Sequence, residues 1–228
     1  MKNTKKPILS CVEAPRVATD TVIFAVFDGC LKVLLIRIGK GEYDGCWALP
    51  GGLVRMDESL DEAAERVLSQ KAGVEGIYLE QLAAFGDLNR DRRGRSVSVA
   101  YFALVRGEDH LLRTIEYYSG IEWKDVRNLP KLAFDHRKIV KLAEERLRNK
   151  LGYSNIAYGL MPKEFTLTEL QSLYETILGN PLDKRNFRKK IKDIGLVTHT
   201  GNVRRTERSR PARLYSFTHR KPTMMDVL

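Results

Sequence analysis

The stretch WALPGGLVRMDESLDEAAERVLSQKAGV, residues 47–74, decides how this chain folds. It opens on Trp47-Ala48-Leu49-Pro50-Gly51-Gly52, whose proline fixes φ and whose glycines reach backbone conformations closed to other residues, so a turn is forced there. From Glu58 to Ala72, the residues Leu60, Ala64, Val67 and Leu68 recur at helical spacing. The run predicts an amphipathic helix, and Gly73 stands where such a helix stops. On either side the pattern is that of strands. Residues 19–29 and 31–39 read as a hairpin joined at Asp28-Gly29-Cys30, and further strands are expected over residues 77–85 and 97–105. The polar segment Arg90-Asp91-Arg92-Arg93-Gly94-Arg95 is the loop between them, and a helix over residues 135–150 closes the module. Mixed strands flanked by helices point to an α/β sandwich.

The remaining third reads differently. Residues 151–162 look like a connector, after which Thr166-Leu167-Thr168-Glu169 fits the S/T-x-x-E capping box at a helix start. Leu170, Leu173, Tyr174, Ile177 and Leu178 supply a buried stripe before Gly179-Asn180-Pro181 breaks the helix. Asp183 can cap a second helix running to Ile194, with Phe187, Ile191 and Ile194 inward and Gly195 as its stop. Two short strands, residues 196–200 and 213–217, surround an arginine-rich loop. Helix, turn, helix and β-hairpin outline a winged helix-turn-helix, so the chain divides into residues 1–150 and 151–228.

Composition sets limits on what these modules do. With 43% apolar residues in 228 the chain can build real cores. No run of about 18 apolar residues is present, and Met1 to Cys11 lacks the apolar stretch of a secretory signal, so a cytosolic protein without membrane contact is expected. Cys11, Cys30 and Cys46 form neither a CxxC pair nor an even disulfide set, which argues against a zinc site. The charge is uneven. Residues 151–228 hold 14 Lys and Arg against 7 Asp and Glu, which is +7 of the chain's total of +10. A basic excess on one module is the footprint of a surface that displaces counterions from nucleic-acid phosphates.

The helix that follows Gly52 has lost its chemistry. Gly52, Glu58, Arg66, Leu68 and Gly73-Val74 occupy the spacing G-x5-E-x7-R-E-U-x-E-E-x-G-U of the Nudix box, where U is aliphatic. In Nudix hydrolases the box glutamates hold a divalent cation that neutralises a diphosphate and activates water. Here the three later glutamate positions carry Val67, Gln70 and Lys71. Residues at i, i+3 and i+4 share one helix face, so three carboxylates leave one patch and an ammonium enters it. No metal, no cofactor and no hydrolysis are expected. Lys71 with Arg66 then offers fixed positive charge to a phosphate that is bound but not cleaved, or Lys71 simply meets the helix dipole in the last turn. Arg37 and the loop arginines, Arg93 among them, can add bidentate contacts to phosphate or carboxylate. His136 lines the same pocket or serves as a structural hydrogen-bonding residue at a helix start.

Across nearly its whole length the sequence resembles the Nudix-related transcriptional regulators of the NrtR family, including their sugar-responsive relatives. The matching residues include Trp47 to Gly52, Tyr78 to Leu82, Arg90-Asp91, Ser98 to Tyr101, Phe134-Asp135-His136, Leu170 to Glu175, Asp183 to Arg188 and Arg210-Pro211-Ala212. Where the family commonly has Arg-Asp-Pro-Arg, this chain has Arg90-Asp91-Arg92-Arg93. The resemblance implies a Nudix-like α/β/α sandwich with a C-terminal winged helix. It also implies a homodimer that represses genes from a double-stranded operator with an inverted repeat. Its effector would be ADP-ribose, with NAD metabolism as the regulated process, or a sugar such as arabinose, with catabolic genes. An active ADP-ribose pyrophosphatase is the enzyme alternative. The candidate ligand set read from the residues is Arg37, Gly51, Gly52, Glu58, Arg66, Lys71, Arg90, Asp91, Arg93 and His136.

For DNA, the helix from Asp183 presents Lys184, Arg185, Asn186, Arg188, Lys189 and Lys192 away from its apolar side. Such a face suits a major groove, where arginine and lysine donate to guanine O6 and N7 or to phosphates. Arg204, Arg205, Arg208 and Arg210 in the wing suit phosphate or minor-groove contacts.

Overall fold

The computed structural model describes residues 14–72, 77–106, 118–206 and 209–228, with the side chains at 71, 72, 206, 209 and 210 left undescribed. Strands β1 (Arg16–Phe27) and β2 (Cys30–Ile38) form the expected hairpin through Asp28 and Gly29, both at positive φ. Two short strands follow, β3 (Trp47–Ala48) and β4 (Gly51–Leu53), then α1 (Leu60–Ala72), β5 (Tyr78–Phe85) and β6 (Ser96–Leu104). Strand β7 (Tyr118–Asp125) and helix α2 (His136–Tyr153) complete the first module. Sequence reading missed β3, β4 and β7. Two of these are only two or three residues long, and YSGIEWKD in β7 is a half-buried strand whose glycine and charges hide its alternation.

The sheet runs β3-β2-β1-β6-β5, with β1 and β6 parallel and the other pairs antiparallel. Strand β1 is central, and alternate residues bury both its faces. Val22 and Phe24 join Ile139 and Val140 of α2, whereas Ile23 and Ala25 join Leu68 of α1. Helices therefore cover both faces, which makes the first module an α/β/α sandwich. One edge of β1 is shared. Ala18 to Asp20 pair with β4 and Phe24 to Phe27 pair with β2, so the sheet forks between them. The fork is where a cavity opens.

The second module contains α3 (Leu167–Leu178), α4 (Lys184–Asp193) and a hairpin of β8 (Val197–Thr206) with β9 (Ser209–Phe217). Thr166 accepts from the Glu169 N–H at 3.2 Å while Glu169 accepts from the Thr166 N–H at 2.7 Å, closing the capping box. Gly179 ends α3 in the left-handed conformation at φ 77°. Asp183 caps α4 by accepting from the Asn186 N–H at 2.8 Å, and Phe187 packs on Tyr174 with ring centroids 5.1 Å apart. Replacing Thr166 by Ala is expected to cost about 1 kcal/mol through the lost cap, read as a lower denaturation midpoint with unchanged m-value.

Two expectations need correction. The wing strands are longer than residues 196–200 and 213–217, because Val203 and Arg204 continue the ladder by pairing with Arg213 and Ala212. Arg204 and Arg205 therefore lie in a strand and not in a loop. Nor is the segment after residue 150 a free connector. Helix α2 continues to Tyr153, a 3-10 turn over Ile156–Gly159 is buried at Ile156 and Ala157, and a Cβ at Gly159 would lie 2.9 Å from Leu104 Cβ. One apolar core runs from Phe24 and Phe102 through Leu147 and Leu151 to Leu170, Tyr174 and Ile191.

Candidate ligand cavity and nucleic-acid interface

A cavity of about 440 Å³ occupies the fork of the sheet. Asp20 of β1, Gly51 and Gly52 of β4, Arg90, Asp91 and Arg93 of the polar loop, and Phe134 and His136 at the start of α2 all line it. Its floor is a buried ionic network. Arg90 grips Asp135 through Nε at 3.2 Å and Nη2 at 2.9 Å, reaches Asp20 at 3.2 Å, and donates to Ser96 Oγ at 3.3 Å. Ser98 donates to the same Asp20 oxygen at 2.6 Å. Burial alone would push the Asp20 carboxyl up, but His136, Ser98 and Arg90 together hold it well below the usual carboxylate range.

His136 is oriented from two sides. Its Nδ1 accepts the Leu49 N–H at 2.9 Å, so its ring proton sits on Nε2, 3.4 Å from Asp20 Oδ2. The same geometry explains Gly51. A Cβ there would stand 2.1 Å from Asp20 Oδ1 and 2.7 Å from the Thr19 carbonyl, so no other residue fits. Above the floor, Arg93 is held by Asp91 at 2.9 Å and lies over the rings of Phe134 and Tyr43, 5.1 and 5.5 Å from their centroids. Phe134 itself has φ 53°, a left-handed conformation rare for a large side chain, and stacks 4.2 Å from Tyr43. Tyr118 completes the wall, its phenol pushed up to about 12 by burial and by the charge of Asp20.

The structure brings together Gly51, Gly52, Arg90, Asp91, Arg93 and His136 from the sequence-derived ligand set, and leaves Arg37, Glu58 and Arg66 outside the cavity lining. Arg66 clasps Glu58 with contacts of 2.7 and 2.5 Å and also donates to the Leu53 carbonyl. That clasp holds the Glu58 carboxyl down at about 2. Glu58, just before α1, and Arg66, within it, thus satisfy each other. Arg37 is exposed and donates to the Gly45 carbonyl. The side chain of Lys71, together with Gly73 and Cys11, lies outside the described residues. The residues that sequence reading missed are Asp20, Asp135, Ser96, Ser98, Tyr118 and Phe134. Asp20 carried a signal, being the one charged residue in the run VATDTVIFAVF.

A Nudix fold implies a divalent cation on the box helix, and the donors present do not fit one. Val67 is fully buried and has no donor atom, Gln70 offers only an amide, and Glu58 is clasped by Arg66. Among the described residues no cluster of three His, Cys, Asp or Glu is arranged to hold a metal ion.

On the second module, α4 buries Phe187 and Ile191 and exposes Lys184, Arg185, Asn186, Lys189 and Lys192. Arg188 departs from the expected open face. It is half-buried, and its guanidinium donates to Thr168 Oγ1 of α3 at 2.8 Å. Arg204 likewise reaches back to Glu169 at 2.5 Å, whereas Arg205 is exposed. The side chains of Arg208 and Arg210 lie outside the described residues. Among the described residues no helix is long and apolar enough to cross a membrane.

Residues 16–143 match the NUDIX domain model and residues 157–217 match the NrtR DNA-binding winged helix domain model. The chain is 40% identical over 208 residues to the ADPR responsive transcriptional repressor NtrR of Acinetobacter baylyi, covering 90% of this chain and 82% of that protein. It is 35% identical over 127 residues to an ADP-ribose pyrophosphatase of Methanocaldococcus jannaschii, covering 56% of this chain and 72% of that one. The crystal structure of Shewanella oneidensis NrtR complexed with a 27mer DNA superposes with a TM-score of 0.79 at 36% identity, covering 89% of this chain and 93% of that one. The NUDIX domain of the same protein complexed with ADP ribose gives 0.55 at 36% identity, over 63% and 94%. A NUDIX sandwich joined to this particular winged helix, matched along nine-tenths of the chain by a repressor of the same build, places the protein in the NrtR family of transcriptional regulators.

Proposed function

We propose that this protein is an ADP-ribose-responsive repressor whose sheet-fork cavity binds ADP-ribose without hydrolysing it and whose winged helix binds operator DNA. The observation that carries this reading is a formed cavity beside a box helix with no metal-binding donor set. Its floor is polar and fully paired, its wall is aromatic, and Arg93 with Lys40 supplies positive charge near its mouth. Aromatic rings suit a base or sugar face, and guanidinium suits a diphosphate. The relatives named for ADP-ribose favour it over a sugar as effector. The acting species is a cytoplasmic homodimer on an inverted repeat, with half-sites about one helical turn, roughly 34–36 Å, apart, controlling genes of NAD metabolism.

Calorimetric titration with ADP-ribose, with arabinose as the control, tests the cavity. Arg93→Ala is expected to weaken ADP-ribose binding by about tenfold or more, the loss of a charge-assisted contact. Arg66→Ala, by contrast, should leave the affinity within about twofold, since Arg66 faces Glu58. Equal losses in both variants would move the site to the box helix. Release of AMP from ADP-ribose at enzymatic rates, with magnesium or manganese present, would replace the sensor by a pyrophosphatase.

A further inference from the structure

Helix α2 begins at the cavity and ends against a segment that in turn reaches α4. At its start, Asp135 grips Arg90 of the cavity floor at 2.9 Å and His136 accepts from Leu49. Eighteen residues on, about 27 Å along a stiff rod, the helix ends against the last residues of the chain. The N–H groups of Val227 and Leu228 donate to the Gly152 carbonyl at 2.8 and 3.2 Å, and that of Met225 donates to the Tyr153 carbonyl at 2.9 Å. Asn155 brackets the same segment. Its amide nitrogen donates to the carbonyls of His219 and Lys221, and its oxygen accepts from the Thr223 N–H at 2.8 Å.

A segment held only by its chain connection would fray. This one satisfies carbonyls that the last turn of a helix otherwise leaves orphaned, and it buries Val227 to 1% exposure in the core common to both modules. Beside Val227, Asp226 reaches Lys190 of α4 at 2.9 Å. The segment therefore touches the helix that begins at the cavity and the helix that carries the basic face. Arg148 of α2 donates to the Ile177 carbonyl of α3 and to Glu144 of its own helix.

We infer that residues 223–228 are a coupling strap that fixes the C-terminal end of α2 to α4, so that a displacement of α2 begun at the cavity re-seats the recognition helix. The inference rests on the cavity being the effector site. The backbone bonds fasten the segment to α2, and it meets α4 through the exposed Asp226–Lys190 pair, weak by itself, and through Val227 in the core that also holds Phe187 and Ile191. Connections of this kind pass through contiguous packed elements, and the coupling they carry is reciprocal between sites.

The test compares the full chain with a variant ending at Thr223. ADP-ribose affinity is measured by calorimetry, and operator affinity by anisotropy with and without saturating ADP-ribose. ADP-ribose affinity without DNA and operator affinity without ligand are expected to stay within about threefold of the full chain, while the ratio of the two operator affinities collapses toward one. A truncated chain that keeps the full-length ratio overturns the strap. Hydrogen exchange on the intact protein needs no variant. ADP-ribose is expected to alter the protection of the Met225, Val227 and Leu228 amides, and unchanged protection overturns the strap even if the truncation does not fold. If ADP-ribose neither binds the intact chain nor alters its operator affinity, the effector reading fails and the strap fails with it.

Discussion

Replacing Arg90 by methionine is expected to destabilise the protein by about 3–5 kcal/mol. The guanidinium is 3% exposed and stands between two carboxylates that are 10% and 6% exposed. Methionine fills much of the volume and removes the charge, so Asp135 loses both of its guanidinium contacts and Asp20 keeps only Ser98 and His136. Breaking one partner out of a buried ionic cluster is costly because the remaining charge is still buried. Lysine does not rescue it. One ammonium cannot replace a fork that meets Asp135 through two nitrogens while also reaching Asp20 and Ser96.

The pH dependence carries the signature. The Asp20 carboxyl is held below its ordinary value of 3.8, so its contribution to stability is present above that value and is lost as pH falls through the lower folded value. In Arg90→Met the guanidinium no longer holds Asp20 down, and the carboxyl takes up a proton at higher pH than in the native protein. The difference in stability between the two proteins is therefore expected to narrow as pH falls below the ordinary carboxyl value of 3.8 toward the lower folded value, measured by denaturant titration at each pH. A constant difference across that range would mean that Arg90 acts through packing and not through charge.

The elements of the fold were legible where local chemistry alone specifies structure. The hairpin at Asp28-Gly29, the capping box of α3, the Asp183 cap of α4 and the apolar stripes of α1, α3 and α4 are all written in local sequence. The cavity was half legible. Arg90, Asp91, Arg93 and His136 stand in runs that look polar for a reason, but Asp20 pairs with Arg90 across 70 positions and Ser98 with Asp20 across 78. No local pattern encodes such pairs. The pairing of Glu58 with Arg66 is local by contrast, because eight positions along a turn and helix are enough for each to satisfy the other. The wing arginines misled because a strand's length depends on its partner, and Arg204 is ordered by Ala212 and Glu169 and not by its neighbours in sequence.

On the nucleic-acid face, substituting Arg185 by Ala is expected to cost about 1–3 kcal/mol at the cognate operator and to narrow the gap between cognate and mutated duplexes. Arg185 and Lys189 are exposed one turn apart on a capped helix whose other side is pinned by Phe187 and Ile191. A donor that reads a base edge needs that fixed register. Arg188 is different, since its guanidinium already meets Thr168 Oγ1, and its role is to seat α4 against α3. Arg188→Ala should therefore lower cognate and scrambled binding together. Arg205 is exposed on β8, beside an Arg204 that Glu169 holds, which suits a phosphate contact. Its replacement by Ala should weaken binding to every sequence alike and make the salt slope shallower by about one unit. A salt titration of each variant on cognate and scrambled duplexes separates the roles. If Arg185→Ala weakened both duplexes equally while Arg205→Ala erased discrimination, the wing would be the reader and α4 the clamp.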